Sequence, residues 1–525
     1  MKGPWLRAAA AALLLAGWHL ALRRHGHGLP LNIDEGEYSY AARVWDSGRL
    51  PYRDAFSPKP PIVLALYRAC LAFSGRPDAP RALAAFFSLA TMALLWATAP
   101  ASWSAGARAA PAAAYAALST LPVGDYGFVA NAEVFLCGFT ALAAWAVRRG
   151  WDAPQDRGAR WAALAGLACG AAVMTKQTAG YTALAFGVLA AWAGPRCWSG
   201  RRAAAFALAG CLVPAGWLAY FAARGGLTPF LDAAFRGNMS YVSIVGVDNL
   251  LKQGRWLLLW LGPALLKGFW PALALGLWGL GAAQAAWAGR LGVLAALWLG
   301  TAAAGVMTGL FFFPHYFLQA APALSLCAGL GAQRLARRFG ARAAVAAAAA
   351  LALLPAAGYA SLYASVSGPA LARRLLYPNP LYEARAIAEY AASRTRLEDF
   401  IYVFGSEPQI YVYAGRRGAT PHPTAYALTL LSAKPGQIEE ELALLRERRP
   451  KLVVYIAQPF STLISTRQGW RFREEIKAWL SRDYRWTGEA EIGPQDSRLD
   501  LGRPEFSGRS PEWNAENRIF VFERD

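Results

Sequence analysis

The sequence has few acidic residues before position 380. Residues 1–379 consist mainly of apolar runs and hold twelve acidic side chains, three of which, Asp34, Glu35 and Glu37, lie within four positions of one another. A carboxylate at the mouth of a membrane bundle loses solvation, so it is usually retained where it binds, coordinates or transfers protons. This acidic cluster is therefore the first candidate for an active site.

Cysteine and lysine are also scarce. The six cysteines all lie in residues 1–379 without paired metal spacing, so disulfides and a cysteine metal site are not expected, and we interpret them as small apolar helix residues. Eight lysines stand against 45 arginines, which suggests that a retained lysine does more than supply a generic cation. Lys59 and Lys176 are two such positions.

Charged residues make up 16% of the 525 residues, and hydrophobic residues make up 56%. Apolar runs of roughly 16–22 residues recur, which is close to the length that crosses a bilayer. The sequence therefore predicts a multi-pass integral protein of the cell (inner) membrane. Lys2 and Arg7 precede the first run without a small-residue cleavage site, which predicts a retained first helix and a cytoplasmic N-terminus.

The net charge of +20 belongs to residues 1–379, because residues 380–525 carry 21 basic and 21 acidic side chains. A nucleic-acid-binding protein usually concentrates basic charge on a soluble domain. The excess here instead follows the bias of membrane proteins toward positive cytoplasmic loops. No nucleic-acid partner is expected.

The run 61–73 decides the sidedness of the chain. Its thirteen residues include Arg68, so the run is short for a crossing and suits an interfacial or re-entrant helix. About eleven transmembrane helices then remain, at residues 5–22, 81–100, 107–122, 132–147, 161–175, 179–194, 203–222, 268–288, 291–310, 316–333 and 343–363. This threading leaves the arginine-rich short loops in the cytoplasm, as the positive-inside rule requires.

The odd number of crossings places the polar tail outside. We expect a mainly α-helical membrane domain over 1–379, whose outer loop 23–80 bears juxtamembrane helices, and a soluble extracytoplasmic α/β domain over 380–525. In this tail, strand-like and helical segments alternate. The strand-like segments are 400–404, 451–456 and 519–522, and the helical ones are 438–449 and 473–480.

Small residues within the apolar runs predict close contacts between helices. They are Gly166 and Gly170, the GLG at 329–331 and the alanine run 343–350. The glycines lie in predicted membrane helices without the preceding strand of a nucleotide-binding loop, so helix packing is the favoured interpretation.

Two acidic sites could carry chemistry on the outer side. Asp34 and Glu35 could take a proton from a hydroxyl while its oxygen attacks an electrophilic carbon; the alternative is a solvated loop in which Asp34 caps a helix. Glu133 follows Asn131 into an apolar helix, where it needs a cation, a metal or a hydrogen-bond partner, and a structural polar pair is the alternative. Asp125, in VGDYG, is interpreted as a turn residue.

Cationic candidates face the same side. Lys59 lies in FSPKPP, whose prolines would hold its ammonium at headgroup level, where it suits a phosphate. Lys176 ends an apolar run, and a lysine that snorkels to the interface is the alternative. His315 and Tyr316 lie at another outer boundary, with Gln319 one helical turn on. His315 could bind a phosphate oxygen, move a proton or cap a helix.

The order of these elements resembles a known family. DE follows the first helix, KPP follows a juxtamembrane stretch, N-x-E comes two crossings later, KQT ends a further helix, and HYFLQxxP comes much later. Over about residues 1–330 this order resembles the GT-C membrane glycosyltransferases, in the branch of protein O-mannosyltransferases and aminoarabinose transferases. The chain departs from the aminoarabinose branch in SPKPP, where that branch usually has an aromatic and an acidic residue before the lysine. Lipid A is therefore not implied as the acceptor.

The resemblance implies inverting transfer of a sugar from a polyprenyl-phosphate carrier among the membrane lipids to a hydroxyl-bearing acceptor on the outer face. The acceptor would be a protein, a lipid or a cell-envelope glycan. Asp34 would be the general base, with Glu35 beside it in the acceptor site. The implied donor-side contacts are Lys59, Lys176, His315, Tyr316 and Gln319. Asn131 and Glu133 would serve the acceptor; no cofactor is required, and a divalent metal held by Asp34, Glu133 and His315 stays an open alternative.

The sequence fits two other classes of protein less well. A lipid-linked sugar flippase or transporter would show ionisable residues spread through mid-membrane positions and duplicated halves, and the sequence shows neither. A non-catalytic membrane scaffold with a partner-binding outer domain would leave the acidic cluster and Lys59 without a shared purpose.

Overall fold

A computed structural model of the chain describes residues 4–154, 156–194, 197–239, 247–282, 289–365, 369–430, 434–503, 506 and 509–524. In residues 1–379 the described α-helices are α1 (Pro4–Arg23), α2 (Ile33–Asp46), α3 (Pro61–Ser74), α4 (Ala79–Thr98), α5 (Ala105–Leu118), α6 (Ala132–Asp152), α7 (Gly158–Val173), α8 (Ala179–Ala191), α9 (Gly200–Ala223), α10 (Leu227–Leu231), α11 (Val247–Trp256), α12 (Gly262–Ala282), α13 (Gly289–Met307), α14 (Ala321–Phe339), α15 (Ala341–Gly358), α16 (Ala360–Ser365) and α17 (Pro369–Leu376). A 3₁₀-helix, Pro314–Ala320, precedes α14. Two short strands, β1 (Trp192–Gly194) and β2 (Cys197–Trp198), pair between α8 and α9.

Each predicted crossing falls on a helix, namely α1, α4 to α9 or α12 to α15, although residues 283–288 of the predicted segment 268–288 lie outside the described residues. Six helical stretches of the described chain are long and apolar enough to cross a membrane. They are Leu6–Gly26, Ala79–Thr98, Gly200–Ala223, Leu251–Gly281, Gly289–Met307 and Ala341–Gly358. The protein is an integral membrane protein, and the count of eleven crossings stays a prediction.

The outer loop 23–80 is helical at the two places that carry motifs. α3 covers the ambiguous run 61–73; it begins at the rigid pair Pro60 and Pro61 and ends where Gly75 adopts a left-handed φ of 68°. α3 has 14 residues, short of the roughly 20 that cross a bilayer. Its interfacial placement stays a prediction.

α2 begins with a capping box. The Asn32 side chain accepts a hydrogen bond from the Glu35 backbone N–H at 2.8 Å, and Glu35 Oε2 accepts one from the Asn32 backbone N–H at 3.2 Å. Asn32 is therefore the cap, and the alternative that Asp34 caps this helix is wrong. Asp34 lies inside the first helical turn, and its carboxylate is available for other contacts.

Small residues bring the membrane helices into contact, as the sequence predicts. A Cβ atom added at Gly166 would overlap the carbonyl oxygen of Phe206 on α9, and one at Gly331 would overlap that of Leu275 on α12. At Gly106 on α5 it would overlap the backbone of α15 at Val345, within the alanine run. These glycines serve helix packing.

The tail forms a six-stranded sheet covered by helices. Its helices are α18 (Glu383–Arg394), α19 (Gln409–Ala414), α20 (Tyr426–Thr429), α21 (Gln437–Arg448), α22 (Pro459–Thr462) and α23 (Arg467–Asp483), and its strands are β3 (Phe400–Phe404), β4 (Arg417–Gly418), β5 (Leu452–Ile456), β6 (Arg485–Glu491), β7 (Arg498–Leu501) and β8 (Arg518–Glu523). The strand order is β4-β3-β5-β8-β6-β7. β3 is parallel to β4 and β5, and the other pairs are antiparallel. The three predicted strands and two predicted helices are confirmed; β4, β6, β7, α18, α19, α20 and α22 were not predicted.

The tail packs directly on α2. The Gly418 backbone N–H donates to Tyr40 Oη at 2.9 Å, and Arg43 Nη1 donates to the carbonyl oxygen of Val412 at 2.6 Å. One apolar core continues from the membrane helices into β3 and β5. α2, which carries the acidic cluster, thus lies between the helix bundle and the tail.

Candidate active site

Asp34 lies at the end of the bundle where α2 begins. Its side chain is 20% exposed, and its Oδ2 atom is 3.8 Å from Lys59 Nζ and 3.7 Å from His315 Nε2. Oδ2 has no hydrogen-bond partner among the described residues. A carboxylate oxygen with unused acceptor capacity can take a proton from a hydroxyl that enters beside it.

His315 contacts a second carboxylate. Its Nδ1 atom lies 2.9 Å from Asp125 Oδ2, and that oxygen also accepts a hydrogen bond from Asn32 Nδ2 at 3.2 Å. Burial acts to lower the pKa of His315, but the charges of Asp125 and Glu133 outweigh it and raise the pKa above its usual value. Burial likewise acts to raise the pKa of Asp125, and the neighbouring His315 nevertheless holds it below the usual value. Asp125 is therefore more than the turn residue that its sequence context indicates.

Glu133 and Lys176 form a buried ion pair on the other side of His315. The Glu133 side chain is fully buried and that of Lys176 is 7% exposed. Lys176 Nζ also lies 3.8 Å from the centre of the Tyr316 ring, within cation–π distance. The polar pair considered for Glu133 is therefore present, and Lys176 points inward and does not snorkel. His315 Nε2 is 3.9 Å from Glu133 Oε1 and 3.7 Å from Asp34 Oδ2, so the imidazole ring lies between this ion pair and Asp34.

Glu35 is held by an arginine. Arg81 donates to it twice, from Nε to Oε1 at 2.8 Å and from Nη2 to Oε2 at 2.5 Å, and Oε1 also accepts from the Ala130 backbone N–H at 2.9 Å. Glu35 is 1% exposed. Successive helical residues point about 100° apart at 3.6 residues per turn, so the neighbour of an active-site residue usually faces elsewhere. Its carboxylate caps α2 and pairs with Arg81, and its expected role in the acceptor site stays a prediction.

Asn131, Tyr316 and Gln319 bond to segments that carry the charged groups of the site. Asn131 Oδ1 accepts a hydrogen bond from Asn32 Nδ2 at 3.1 Å. Gln319 accepts from Thr178 Oγ1 at 3.1 Å and donates to the Tyr316 carbonyl at 2.9 Å, which joins the KQT segment to the HYFLQ segment. Tyr316 contacts Lys176 directly, whereas Asn131 and Gln319 bond to Asn32 and Thr178; the roles of all three toward a substrate stay predictions.

The segment that carries Lys59 is held by three residues that were not among the predicted site residues. The Pro58 carbonyl accepts a hydrogen bond from Gln177 Nε2 and another from Asn238 Nδ2, each at 2.8 Å. Tyr52 Oη donates to the Lys59 carbonyl at 2.9 Å. Gln177 directly follows a candidate lysine and could have been suspected. Asn238 carries no comparable signal, because an amide that bonds to a distant carbonyl looks like any loop asparagine.

The charges of the site nearly balance. Asp34, Asp125 and Glu133 face two ammonium groups and a histidine whose pKa is raised. Among the described residues, no group of three His, Cys, Asp or Glu side chains is arranged to hold a metal ion. With two lysines beside the carboxylates, the polar groups suit an anion that bridges the cations and a hydroxyl that faces Asp34.

Comparisons with known proteins agree with this fold. Residues 58–220 match the family described as dolichyl-phosphate-mannose-protein mannosyltransferase. The fold is similar to that of ArnT from Cupriavidus metallidurans, solved with bound undecaprenyl phosphate, at 15% identity and a TM-score of 0.58, with 97% of this chain and 100% of that chain covered. It is also similar to the archaeal oligosaccharyltransferase AglB from Archaeoglobus fulgidus, solved with an inhibitory peptide and a dolichol-phosphate, at 12% identity and a TM-score of 0.51, with 98% and 77% covered. A comparison with curated protein sequences finds no match.

Proposed function

Because the chain has the GT-C fold and its residues 58–220 match a mannosyltransferase family, we propose that it is an inverting glycosyltransferase. It moves a sugar from a polyprenyl-phosphate carrier to a hydroxyl acceptor. The observation that carries the proposal is the placement of Asp34 Oδ2, without a hydrogen-bond partner among the described residues, 3.8 Å from the Lys59 ammonium and 3.7 Å from His315. The carrier class is taken from the lipid phosphates bound to the two structural neighbours.

The proposed reaction needs one base and a cationic pocket. The acceptor oxygen forms a bond to the anomeric carbon, the bond from that carbon to the phosphate oxygen breaks, and the electron pair leaves with the phosphate. Asp34 accepts the hydroxyl proton, and Lys59 and His315 stabilise the negative charge that develops on the phosphate. A single displacement from the face opposite the phosphate inverts the anomeric carbon. Glu133 pairs with Lys176 on the other side of His315.

The distribution of arginines supports an outward-facing site. Glu133 begins α6 and Lys176 follows α7, so both lie at one end of the bundle. The opposite end carries Arg202, which lies against Gly158 at the start of α7, and Arg290, whose Nη2 donates to the Ala193 carbonyl at 3.1 Å. Because positive loops remain in the cytoplasm, the site end faces outward.

The direct test is Asp34→Asn, which keeps the size of the side chain and removes the base. Asp46→Asn is the matched control, because Asp46 lies on the same helix and its exposed carboxylate pairs with Arg68 at 3.3 Å. A deletion strain is complemented with each variant, and cell-envelope glycans are analysed by mass spectrometry. We expect the wild type and Asp46→Asn to restore the missing sugar and Asp34→Asn to lose about 10²-fold or more of the transfer.

Two checks make this result decisive. Asp34→Asn must reach the membrane in wild-type amounts and elute as a single species in detergent. Full sugar transfer by that variant would exclude Asp34 as the base. Unchanged glycans after deletion of the wild-type protein would contradict the proposed function.

A further inference from the structure

The segment that carries Lys59 is bonded to the C-terminal domain. The Phe56 backbone N–H donates to the Pro421 carbonyl at 2.7 Å, and the Phe56 ring packs against those of His422 and Tyr426, with centroids 5.8 and 6.4 Å apart. Pro421 and His422 lie in the connection after β4, and Tyr426 is the first residue of α20. A tail that is remote in sequence thus reaches the donor side of the site.

A buried carboxylate completes this connection. Glu37 Oε1 accepts a hydrogen bond from Ser57 Oγ at 2.7 Å, and Glu37 Oε2 accepts one from Tyr426 Oη at 2.6 Å. The Lys59 backbone N–H lies 3.3 Å from Ser57 Oγ and donates to it. Tyr426, Glu37, Ser57 and the Lys59 backbone therefore form one continuous hydrogen-bonded chain.

The chain is built from buried groups. Glu37 is 1% exposed and Ser57 is fully buried, so an unbonded carboxylate oxygen here would carry a large desolvation cost. Burial, together with the charge of Asp34, raises the pKa of Glu37 to about 7, and the bonds from Tyr426 and Ser57 act in the opposite direction. Loss of either donor would leave one oxygen of this buried carboxylate without that hydrogen bond.

We propose that Glu37 and Tyr426 are positioning residues, which hold the Lys59 backbone through Ser57 so that the ammonium stays beside Asp34. The C-terminal domain is then part of the donor site's framework and supplies the outermost member of the chain. The role toward a polyprenyl-phosphate donor rests on the proposed function. A contact that merely docks the two domains would hold the tail without controlling the Lys59 segment.

The first test measures the segment itself, independently of activity. Tyr426→Phe removes one hydroxyl from the full-length protein in detergent, and hydrogen–deuterium exchange follows the peptide containing the amides of Phe56 and Lys59. Tyr484→Phe is the matched control, because its buried hydroxyl donates to the Pro450 carbonyl at 2.7 Å inside the tail. We expect at least tenfold faster exchange in the Lys59 peptide for Tyr426→Phe and no change for Tyr484→Phe. Equal exchange in the wild type and Tyr426→Phe would overturn the proposal.

The second test links the chain to the donor. Undecaprenyl phosphate is titrated into each variant, and its Kd is measured together with the kcat and KM of transfer. We expect Tyr426→Phe and Ser57→Ala each to raise the Kd and KM severalfold with little change in kcat. The double variant should raise the Kd by less than the product of the two single-variant increases. If the increases in Kd simply multiply in the double variant, or if only kcat falls, the proposal that Tyr426 and Ser57 act together through Glu37 is contradicted.

The outcomes separate the two proposals. If Tyr426→Phe loosens the Lys59 peptide while the wild type fails to bind undecaprenyl phosphate, the positioning chain stands and the donor assignment falls. If Tyr426→Phe does not fold, Ser57→Ala gives the same exchange readout from the other end of the chain, and wild-type exchange there would count against the proposal.

Discussion

At the residue scale, the site depends on polar atoms that the membrane would otherwise exclude. Asp34, Lys59, Glu133, Lys176 and His315 come from separate segments of the chain, and the structure places their charged groups within a few ångströms of one another. Each stands out in the sequence because a charged or imidazole group at an apolar boundary needs a partner. Their convergence is therefore the part of the site that the sequence predicts best.

Lys59 is expected to bind the donor phosphate as a cation. Lys59→Gln removes a charge-assisted hydrogen bond of about 1.5–3 kcal/mol, so the KM for the lipid-phosphate donor should rise about tenfold or more. Lys59→Arg should retain part of the affinity, because it keeps the charge but not the compact ammonium. Steady-state kinetics with a polyprenyl-phosphate sugar measure both.

Arg68→Gln is the control for this prediction. Arg68 lies on α3, next to the Lys59 segment, but its side chain is 41% exposed and pairs with Asp46. We expect wild-type kinetics from it. An unchanged donor KM in Lys59→Gln would exclude Lys59 from phosphate binding.

The contacts that sequence reasoning missed were missed for one physical reason. Glu35 and Asp34 are adjacent, but their directions differ by the helical rotation, and Arg81 lies 46 positions away, so nothing local reveals that pair. Asp125 lies in a turn-like sequence, and only the structure shows that it also contacts His315. Asn238 acts on the Pro58 carbonyl from 180 positions away. Hydrogen bonds to backbone carbonyls do not select a distinctive residue type, so sequence alone does not predict them.

At the element scale, helices were easier to predict than strands. Apolar runs near the bilayer length identify a membrane helix without any knowledge of its partners. β6 (RWTGEAE) and the edge strand β7 (RLDL), in contrast, are polar and lack a long apolar run. β7 is ordered by its pairing with β6, and β6 by its pairing with β8, so the side chains of these two strands give a weak signal of their own.

Close helix packing yields a prediction at this scale. Gly166→Ala adds a methyl group that overlaps the Phe206 carbonyl on α9, so α7 and α9 must separate. We expect a loss of about 1–3 kcal/mol of stability, as for other overpacked sites. Thermal unfolding in detergent, followed by fluorescence-detected gel filtration, measures the change.

Gly216→Ala tests whether the loss comes from contact and not from the glycine itself. Gly216 lies on α9, and a Cβ atom there meets nothing within 4 Å. Helix propensity favours alanine by about 0.8–1 kcal/mol in both variants, so Gly216→Ala should be neutral or stabilising. If both variants stabilise the protein, the α7–α9 contact is looser than the structure indicates.

At the scale of the whole molecule, charge and architecture agree. The tail is neutral by count, with 21 basic and 21 acidic residues, and the excess positive charge belongs to the membrane part. The short loops at one end of the bundle carry an excess of arginines over acidic residues, and the other end carries the site and the tail. The sequence predicts this polarity because each short loop contributes to it independently, whereas the fit of the tail on α2 depends on contacts such as that of Tyr40 with Gly418, which no local pattern encodes.

This polarity predicts the side of the membrane from which Cys197 can be labelled. Cys197 is exposed on β2, between α8 and α9 at the arginine-rich end. A membrane-impermeant maleimide should therefore label it in inverted membrane vesicles and leave it unlabelled in intact spheroplasts. Cys197→Ser identifies the signal, because exposed Cys211 lies within α9, where a charged reagent in water has poor access. Asp496→Cys, at a tail side chain that is 99% exposed, should show the reverse pattern. Labelling of Cys197 and of a cysteine at 496 from the same side would contradict the odd number of crossings, because β2 and the tail are expected on opposite faces of the membrane.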